Sequence, residues 1–153
     1  MKKKDLMFLS YLRQNARETL TKISRKTGVP ISTLYDKLKA QEKEFITKHT
    51  TLIDFTKLGY LCRANITLKV DIEQREEVKK YLMCQESVNS LFKINNGYDF
   101  LVEGIFEHVK ELEDFIELME TKFKITEKQV YYIIDEIQRE SFMSDPTMIQ
   151  LNV

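Results

Sequence analysis

Residues 19–39 (TLTKISRKTGVPISTLYDKLK) constrain the fold most, because their pattern predicts two short helices joined by a tight turn. Thr19 can cap the first of these helices, and Gly28 can take the left-handed conformation that ends it. Pro30 suits the first turn of the next helix. There, apolar residues recur at the spacing of one buried stripe: Ile31, Leu34, Tyr35 and Leu38. The stretch therefore predicts a helix-turn-helix whose second helix has a polar outer face.

That outer face carries small polar side chains flanked by lysines. At about 100° per residue, the buried stripe turns Thr33, Asp36 and Ala40 outward, with Ser32 and Lys37 beside them. Such side chains fit a helix that lies in a DNA major groove. Thr33 can approach a thymine methyl group, and Asp36 can accept a hydrogen bond from a cytosine amino group. We therefore assign base-edge reading to Ser32, Thr33, Asp36 and Lys37.

Charge is distributed unevenly along the chain. Residues 1–57 hold 13 Lys/Arg and 6 Asp/Glu, a formal charge of +7, whereas residues 58–153 hold 11 and 18, a charge of −7. A basic first third joined to an acidic remainder is typical of a nucleic-acid-binding module attached to a second domain. On charge alone, a solvated lysine-rich surface is the alternative. For DNA, we predict that these side chains contact phosphate: Arg17, Lys22, Arg25, Lys39 and Lys48.

The order of the remaining signals predicts two domains. A first helix over residues 4–15 precedes the helix-turn-helix, and the β-branched residues of 45–53 predict a short hairpin or wing after it. We therefore expect a winged helix-turn-helix DNA-binding domain over residues 1–54 and a linker over 55–60. Residues 61–153 would form the second domain, for effector binding and oligomerisation.

The second domain shows the signals strand, helix, strand, strand, helix, strand. They fall over residues 64–70, 73–85, 88–94, 98–106, 108–123 and 128–135. Asn96-Gly97 between the second and third strands is the strongest short hairpin signal in the chain. A βαββαβ order implies an antiparallel four-stranded sheet with both helices on one face, the ferredoxin-like arrangement. The predicted fold class is thus α+β, a winged helix-turn-helix followed by a ferredoxin-like domain.

The face of this sheet away from the helices is also apolar. In the third strand, Phe100, Val102 and Phe106 point one way, while Leu101 and Ile105 point the other. In the fourth strand, Val130, Tyr132 and Ile134 point one way, while Tyr131 and Ile133 point the other. Two helices cover only one face, and an uncovered apolar face of this size marks an association surface. We predict dimerisation through it.

Two parts of the chain resemble the Lrp/AsnC family of bacterial and archaeal transcription regulators, with an archaeal character. The first comprises residues 16–19, 23–35 and Ile46, and the second, residues 96–100, is similar to the family's glycine–aromatic–aspartate turn. The resemblance covers essentially the whole chain in the right order. It implies a transcription regulator that binds specific sequences of double-stranded DNA as a homodimer, tetramer or octamer. One departure is Glu44-Phe45, where the family usually has a glycine before the wing.

The same resemblance implies an effector site for an amino acid or another small metabolite. It would use the turn residues Asn95, Asn96, Gly97, Tyr98 and Asp99. Asp99 can pair with the ammonium group of an amino acid. The alternative is that Asn-Gly simply closes a hairpin, which Asp99 caps. Residues 128–132 lack the Thr or Ser that often touches the ligand in the family, so another metabolite or no effector remains open.

Other functional classes have little support in the sequence. The two cysteines and two histidines form no disulfide framework, no metal site and no cofactor site, and no acid–base or nucleophile constellation predicts an enzyme. An RNA-binding module could stack bases on Tyr131 and Tyr132, but the charge of −7 on that half repels a polyanion. A small-molecule-binding module without promoter recognition is a further alternative. The start of the chain is not a signal peptide, and no segment reaches the length of a membrane span, so we expect a cytoplasmic protein.

Overall fold

The computed structural model describes residues 3–151, and their side chains as far as residue 149. It contains helices α1 to α6 and strands β1 to β4. In chain order these are α1 Lys3–Gln14, α2 Leu20–Thr27, α3 Ile31–Glu44, β1 Cys62–Val70, α4 Arg75–Met83, β2 Val88–Lys93, β3 Phe100–Phe106, α5 Val109–Lys122, β4 Ile125–Tyr132 and α6 Pro146–Leu151. None of the helices in this part of the chain is both long enough and apolar enough to cross a membrane.

Two compact units divide the chain, residues 1–52 with 137–153, and residues 53–136. We expected residues 61–153 to form one domain, but the structure places 137–153 in the first unit. There, α6 packs against α1. In addition, Arg13 Nε donates to the carbonyl oxygen of Phe142 at 2.6 Å, and the Arg13 guanidinium pairs with Glu140 at 2.7 Å. The end of the chain therefore adds a fourth helix to the unit that holds the helix-turn-helix.

Three side chains form the core of the helical unit. Phe8, Ile23 and Leu34, one from each of α1, α2 and α3, are fully buried. The partly buried side chains around them are Tyr11, Leu12, Leu20, Val29 and Leu38. Since each helix contributes its apolar stripe to one cluster, α3 is held with its opposite face in solvent.

The predicted wing is wrong. Residues 46–54 form no helix or strand in the structure, and all of them except Ile46 are exposed. β-branched residues favour extended backbone, but residues 45–53 contain no Gly, Asn, Asp or Pro to close a tight turn between two strands. An isolated hairpin is also only marginally stable in water. The segment is therefore a connection without regular secondary structure, and it carries Lys48.

Strand order β2-β3-β1-β4, with every pair antiparallel, confirms the ferredoxin-like arrangement. Along β1 every second residue from Cys62 to Val70 is buried, so one face of the sheet forms the core. Helices α4 and α5 cover this face with the buried side chains Val78, Leu82, Leu112, Phe115, Ile116 and Met119. The hairpin between β2 and β3 turns at Asn96 and Gly97, with φ of 61° and 88°. Two positive φ values in succession are those of the predicted Asn-Gly turn.

Candidate nucleic-acid interface

The turn between α2 and α3 follows directly from its sequence. Thr19 caps α2, because its Oγ1 accepts a hydrogen bond from the Lys22 N–H at 3.3 Å. Gly28 ends α2 with φ of 68°, and its N–H donates to the Ser24 carbonyl oxygen at 2.8 Å. Pro30 is the N-cap of α3, which begins at Ile31. These local contacts fix the three-residue turn from which α3 projects.

Helix α3 presents one polar face to solvent. Ser32, Thr33, Asp36 and Lys39 are all exposed, as predicted, while Leu34 is buried on the opposite side. Their spacing puts Ser32, Asp36 and Lys39 near the middle of the outward face and Thr33 on one flank. A helix with this face free can enter a major groove without displacing core side chains.

Lys37 does not share that outward face. Its side chain is only 26% exposed, and its Nζ pairs with the carboxylate of Asp5 on α1. On the next turn of α3, Gln41 is buried and its Nε2 donates to the Asp5 carbonyl oxygen at 3.4 Å. Helix α1 therefore covers the side of α3 that carries Lys37. The sequence pattern placed Lys37 beside the outward residues because periodicity shows the stripe but not the neighbouring helix.

Basic side chains of α2 and of the residues before it are exposed in the same unit as α3. Arg17, Lys22 and Arg25 are exposed. Lys22 and Lys26 lie 3.5 and 3.4 Å from the carboxylate of Glu18. Desolvation raises the pKa of Glu18, but the hydrogen bond and charge of Lys26, followed by those of Lys22, outweigh it and leave that pKa below its ordinary value. Glu18, just before the start of α2, is thus a carboxylate that holds two lysines of that helix.

Two aromatic rings in this unit carry lysines above them. Lys39 Nζ lies 4.5 Å from the centroid of the Tyr35 ring, and Lys26 Nζ lies 5.2 Å from that of Tyr11. Tyr35 is 50% exposed, and Ile31, one helical turn before it, is 48% exposed. The prediction that these two side chains complete the buried stripe is wrong. Leu34, Leu38 and the buried Gln41 form the inward side instead.

The predicted effector turn is exposed except at its last residues. Asn95, Asn96 and Gly97 are exposed and Tyr98 is half-buried, while Asp99 is buried. The Asp99 carboxylate accepts a hydrogen bond from the Val70 N–H at 2.9 Å, and its other oxygen lies 2.8 Å from the Arg75 guanidinium. Both oxygens of Asp99 therefore have partners within this chain. The structure shows Asp99 joining β1, β3 and the start of α4, and its role toward an ammonium group stays a prediction.

The face of the sheet away from the helices combines an ionic cluster with apolar side chains. Glu103 accepts hydrogen bonds from Asn89, Ser90 and the Arg63 Nε at 2.6, 2.7 and 2.8 Å, and Arg63 also pairs with Glu136. Burial alone would raise the pKa of Glu103, but the hydrogen bonds outweigh it, so that pKa lies below its ordinary value. Around this cluster, on the same face, lie Phe92, Leu101, Ile105 and Tyr131. The predicted apolar face is therefore polar at its centre.

Several known proteins are similar to this chain over most of their length. Over 143 residues it is 24% identical to an uncharacterized HTH-type transcriptional regulator of Pyrococcus furiosus, a match that spans 93% of this chain and 96% of the relative. Over 116 residues it is 28% identical to the HTH-type transcriptional regulator FL11 of Pyrococcus horikoshii, and this match spans 75% of this chain and 77% of FL11. No protein-family model matches the chain.

Solved structures share the fold of both halves. The Neisseria meningitidis transcriptional regulator in complex with L-Met has a TM-score of 0.85 at 18% identity, covering 92% of this chain and 94% of that one. LrpC of B. subtilis has a TM-score of 0.82 at 19% identity, covering 90% and 97%. AsnC of E. coli has a TM-score of 0.81 at 15% identity, covering 91% and 95%. The chain therefore has the fold of the Lrp/AsnC structures, and the relatives that match its sequence are HTH-type transcriptional regulators.

Two features of this chain could not be read from its sequence pattern. Tyr35 and Ile31 lie exposed on α3, although their spacing was that of a core stripe. Arg75 pairs with Asp99 from 24 positions away in the chain, and no local pattern marks it. Within residues 3–151, no group of three or more His, Cys, Asp or Glu side chains could hold a metal ion.

Proposed function

We propose that this chain is a transcription regulator that binds specific sequences of double-stranded DNA by placing α3 in the major groove. The observation that carries the proposal is the exposed polar face of α3 within residues 1–57, which carry a formal charge of +7. In this proposal Ser32, Thr33 and Asp36 read base edges. The basic side chains assigned to phosphate are Arg17, Lys22, Arg25, Lys39 and Lys48, while Lys37 joins α3 to α1. The proposal includes a cytoplasmic location and a protein that acts by binding and not as an enzyme.

The competing nucleic-acid partners can be separated in one titration. We expect a labelled genomic duplex pool to bind more tightly than the same sequences as single strands or RNA, measured by fluorescence anisotropy at two salt concentrations. Duplex affinity should fall as salt rises, because bound lysines and arginines release counterions from the phosphates. A preference for RNA at both salt concentrations would overturn the proposal.

Dimerisation is the second part of the proposal. The sheet face that the helices leave uncovered carries Phe92, Leu101 and Tyr131, and Phe92 and Tyr131 are 54% and 52% exposed. A second copy of the chain can cover this face and bury these side chains from water. The two copies of α3 would then address half-sites about one helical turn, or a multiple of it, apart. Assembly to a tetramer or octamer is a prediction from the family resemblance.

Modulation by an amino acid is the third part, and it concerns the turn at residues 95–99. Two structural neighbours, from Neisseria meningitidis and M. tuberculosis, were solved in complex with L-methionine. Gly97 has φ of 88° and leaves open space where a Cβ would lie, so the turn has a positive-φ backbone that other residues rarely adopt. A ligand there would act by favouring one assembly over another.

A thermal-shift screen of the twenty amino acids tests this part. We expect at least one to raise the melting temperature, since a ligand that binds only the folded state adds about 2.7 kcal/mol at 100 times its Kd. Gly97→Ala should reduce that response by straining the turn. If the unmodified protein responds to none of the twenty, amino-acid sensing is removed and the DNA-binding proposal stands.

A further inference from the structure

Two apolar side chains of α3 lie outside the core, on the same side of the helix. Ile31 and Tyr35 are separated by four residues, so they lie one above the other, and they are 48% and 50% exposed. The buried side of α3 is already filled by Leu34, which packs with Phe8 and Ile23. Ile31 and Tyr35 are thus surplus to the core and border the outward polar face.

Lys39 extends this row by one more turn. Its Nζ lies 4.5 Å from the centroid of the Tyr35 ring, so the ammonium is above one face of the aromatic system. Such a contact restricts the Tyr35 side chain and keeps a positive charge beside it. The row from Ile31 to Lys39 therefore has an apolar first half and a cationic end.

The chemistry of the major groove contains one apolar group that fits such a row. Each base edge there presents donors and acceptors, and only thymine adds a methyl group, on C5. An exposed isoleucine side chain and a tyrosine ring can bury that methyl group, and neither has the pair of hydrogen-bonding groups with which Arg or Asn reads a base edge. We propose that Ile31 and Tyr35 select thymine by contacting its C5 methyl group, and that Lys39 positions the Tyr35 ring. This inference rests on the proposed function.

The test uses duplexes enriched from a random library with the full chain. One enriched duplex is prepared with thymine and again with deoxyuridine in its place, which removes only the C5 methyl groups. We expect the unmodified protein to bind the deoxyuridine duplex more weakly, by about fourfold for each methyl group that these side chains bury in the thymine duplex. Tyr35→Ala should weaken binding to the thymine duplex and reduce the difference between the two duplexes.

Tyr35→Phe is the matched control, because it keeps the apolar ring and the face on which Lys39 sits while removing the hydroxyl group. It should discriminate between thymine and deoxyuridine as the unmodified protein does. Thr33→Ala, on the other flank of α3, should leave the Tyr35-dependent part of the discrimination in place. Circular dichroism confirms that each variant is folded.

The outcomes separate this inference from the function on which it rests. If the protein binds the duplex but does not distinguish thymine from deoxyuridine, the methyl-reading role is wrong and DNA binding stands. The role is equally wrong if Tyr35→Ala keeps the full discrimination. If no duplex is enriched or bound at all, the proposed function fails and this inference fails with it.

Discussion

Leu101→Glu is expected to convert the proposed dimer to a monomer. Leu101 lies in β3 on the uncovered face of the sheet, opposite Phe92 in β2 and Thr67 in β1. In a monomer the new carboxylate is hydrated and the sheet stays folded. In a dimer it would be buried without a partner close to Glu103, and an unpaired buried charge costs several kcal/mol. Sedimentation velocity should show one subunit per particle at concentrations where the unmodified chain is dimeric.

Loss of the dimer should also weaken DNA binding strongly. Two copies of α3 in one particle engage the second half-site as an intramolecular event, which raises avidity by about 10²- to 10⁴-fold. Leu118→Glu on α5 is the matched control, because Leu118 is 44% exposed on a helix that covers the opposite face. It should leave both mass and affinity unchanged. A dimeric Leu101→Glu protein with normal affinity would show that the sheet face is not the interface.

Asp99→Ala should destabilise the sheet unit. The substitution leaves the buried Val70 N–H without its acceptor and removes the partner of Arg75. An unsatisfied buried donor costs about 1–3 kcal/mol, and the Arg75 side chain is 43% exposed, so its ion pair contributes little beyond that. For a unit of this size, the melting temperature should fall by about 5–15 °C.

Asp99→Asn separates the hydrogen bond from the charge. Its amide oxygen still accepts from the Val70 N–H, so we expect it to lose clearly less stability than Asp99→Ala. Differential scanning calorimetry at one protein concentration makes the comparison. If Asp99→Ala has the same melting temperature as the unmodified protein but abolishes a ligand response, Asp99 contacts an effector and its structural assignment is wrong.

The second half of the fold could be predicted because each strand and helix there has a clear period. β1 alternates strictly, and α5 carries its apolar residues at helical spacing, so both the βαββαβ order and the Asn-Gly turn were correct. The segment after α3 gave a false strand signal because its β-branched residues have no partner strand. Strand propensity is a property of a single segment, whereas a sheet forms only when two strands pair.

What sequence could not supply was contact between distant residues. Asp99 looked like a ligand because its partners Val70 and Arg75 lie 29 and 24 positions away. Lys37 looked outward because nothing in α3 itself shows that Asp5 of α1 lies beside it. The packing of residues 137–149 with the first unit depends in the same way on Arg13 in α1. In each of these cases the partner of the side chain is remote in the chain.

The salt dependence of duplex binding tests the central claim most directly. Lys22→Ala with Arg25→Ala should remove two phosphate contacts from each subunit, and so flatten the slope of log K against log salt by about 3–4 units in a dimer. Lys37→Ala removes the same kind of charge from α3 but should leave the slope unchanged, because the Lys37 side chain is only 26% exposed and paired with Asp5, whereas that of Lys22 is 66% exposed. The account is contradicted if the double variant keeps both the affinity and the slope of the unmodified protein. It is also contradicted if Lys37→Ala flattens the slope as much as the double variant does. Either result would mean that DNA does not bind along the outward face of α3.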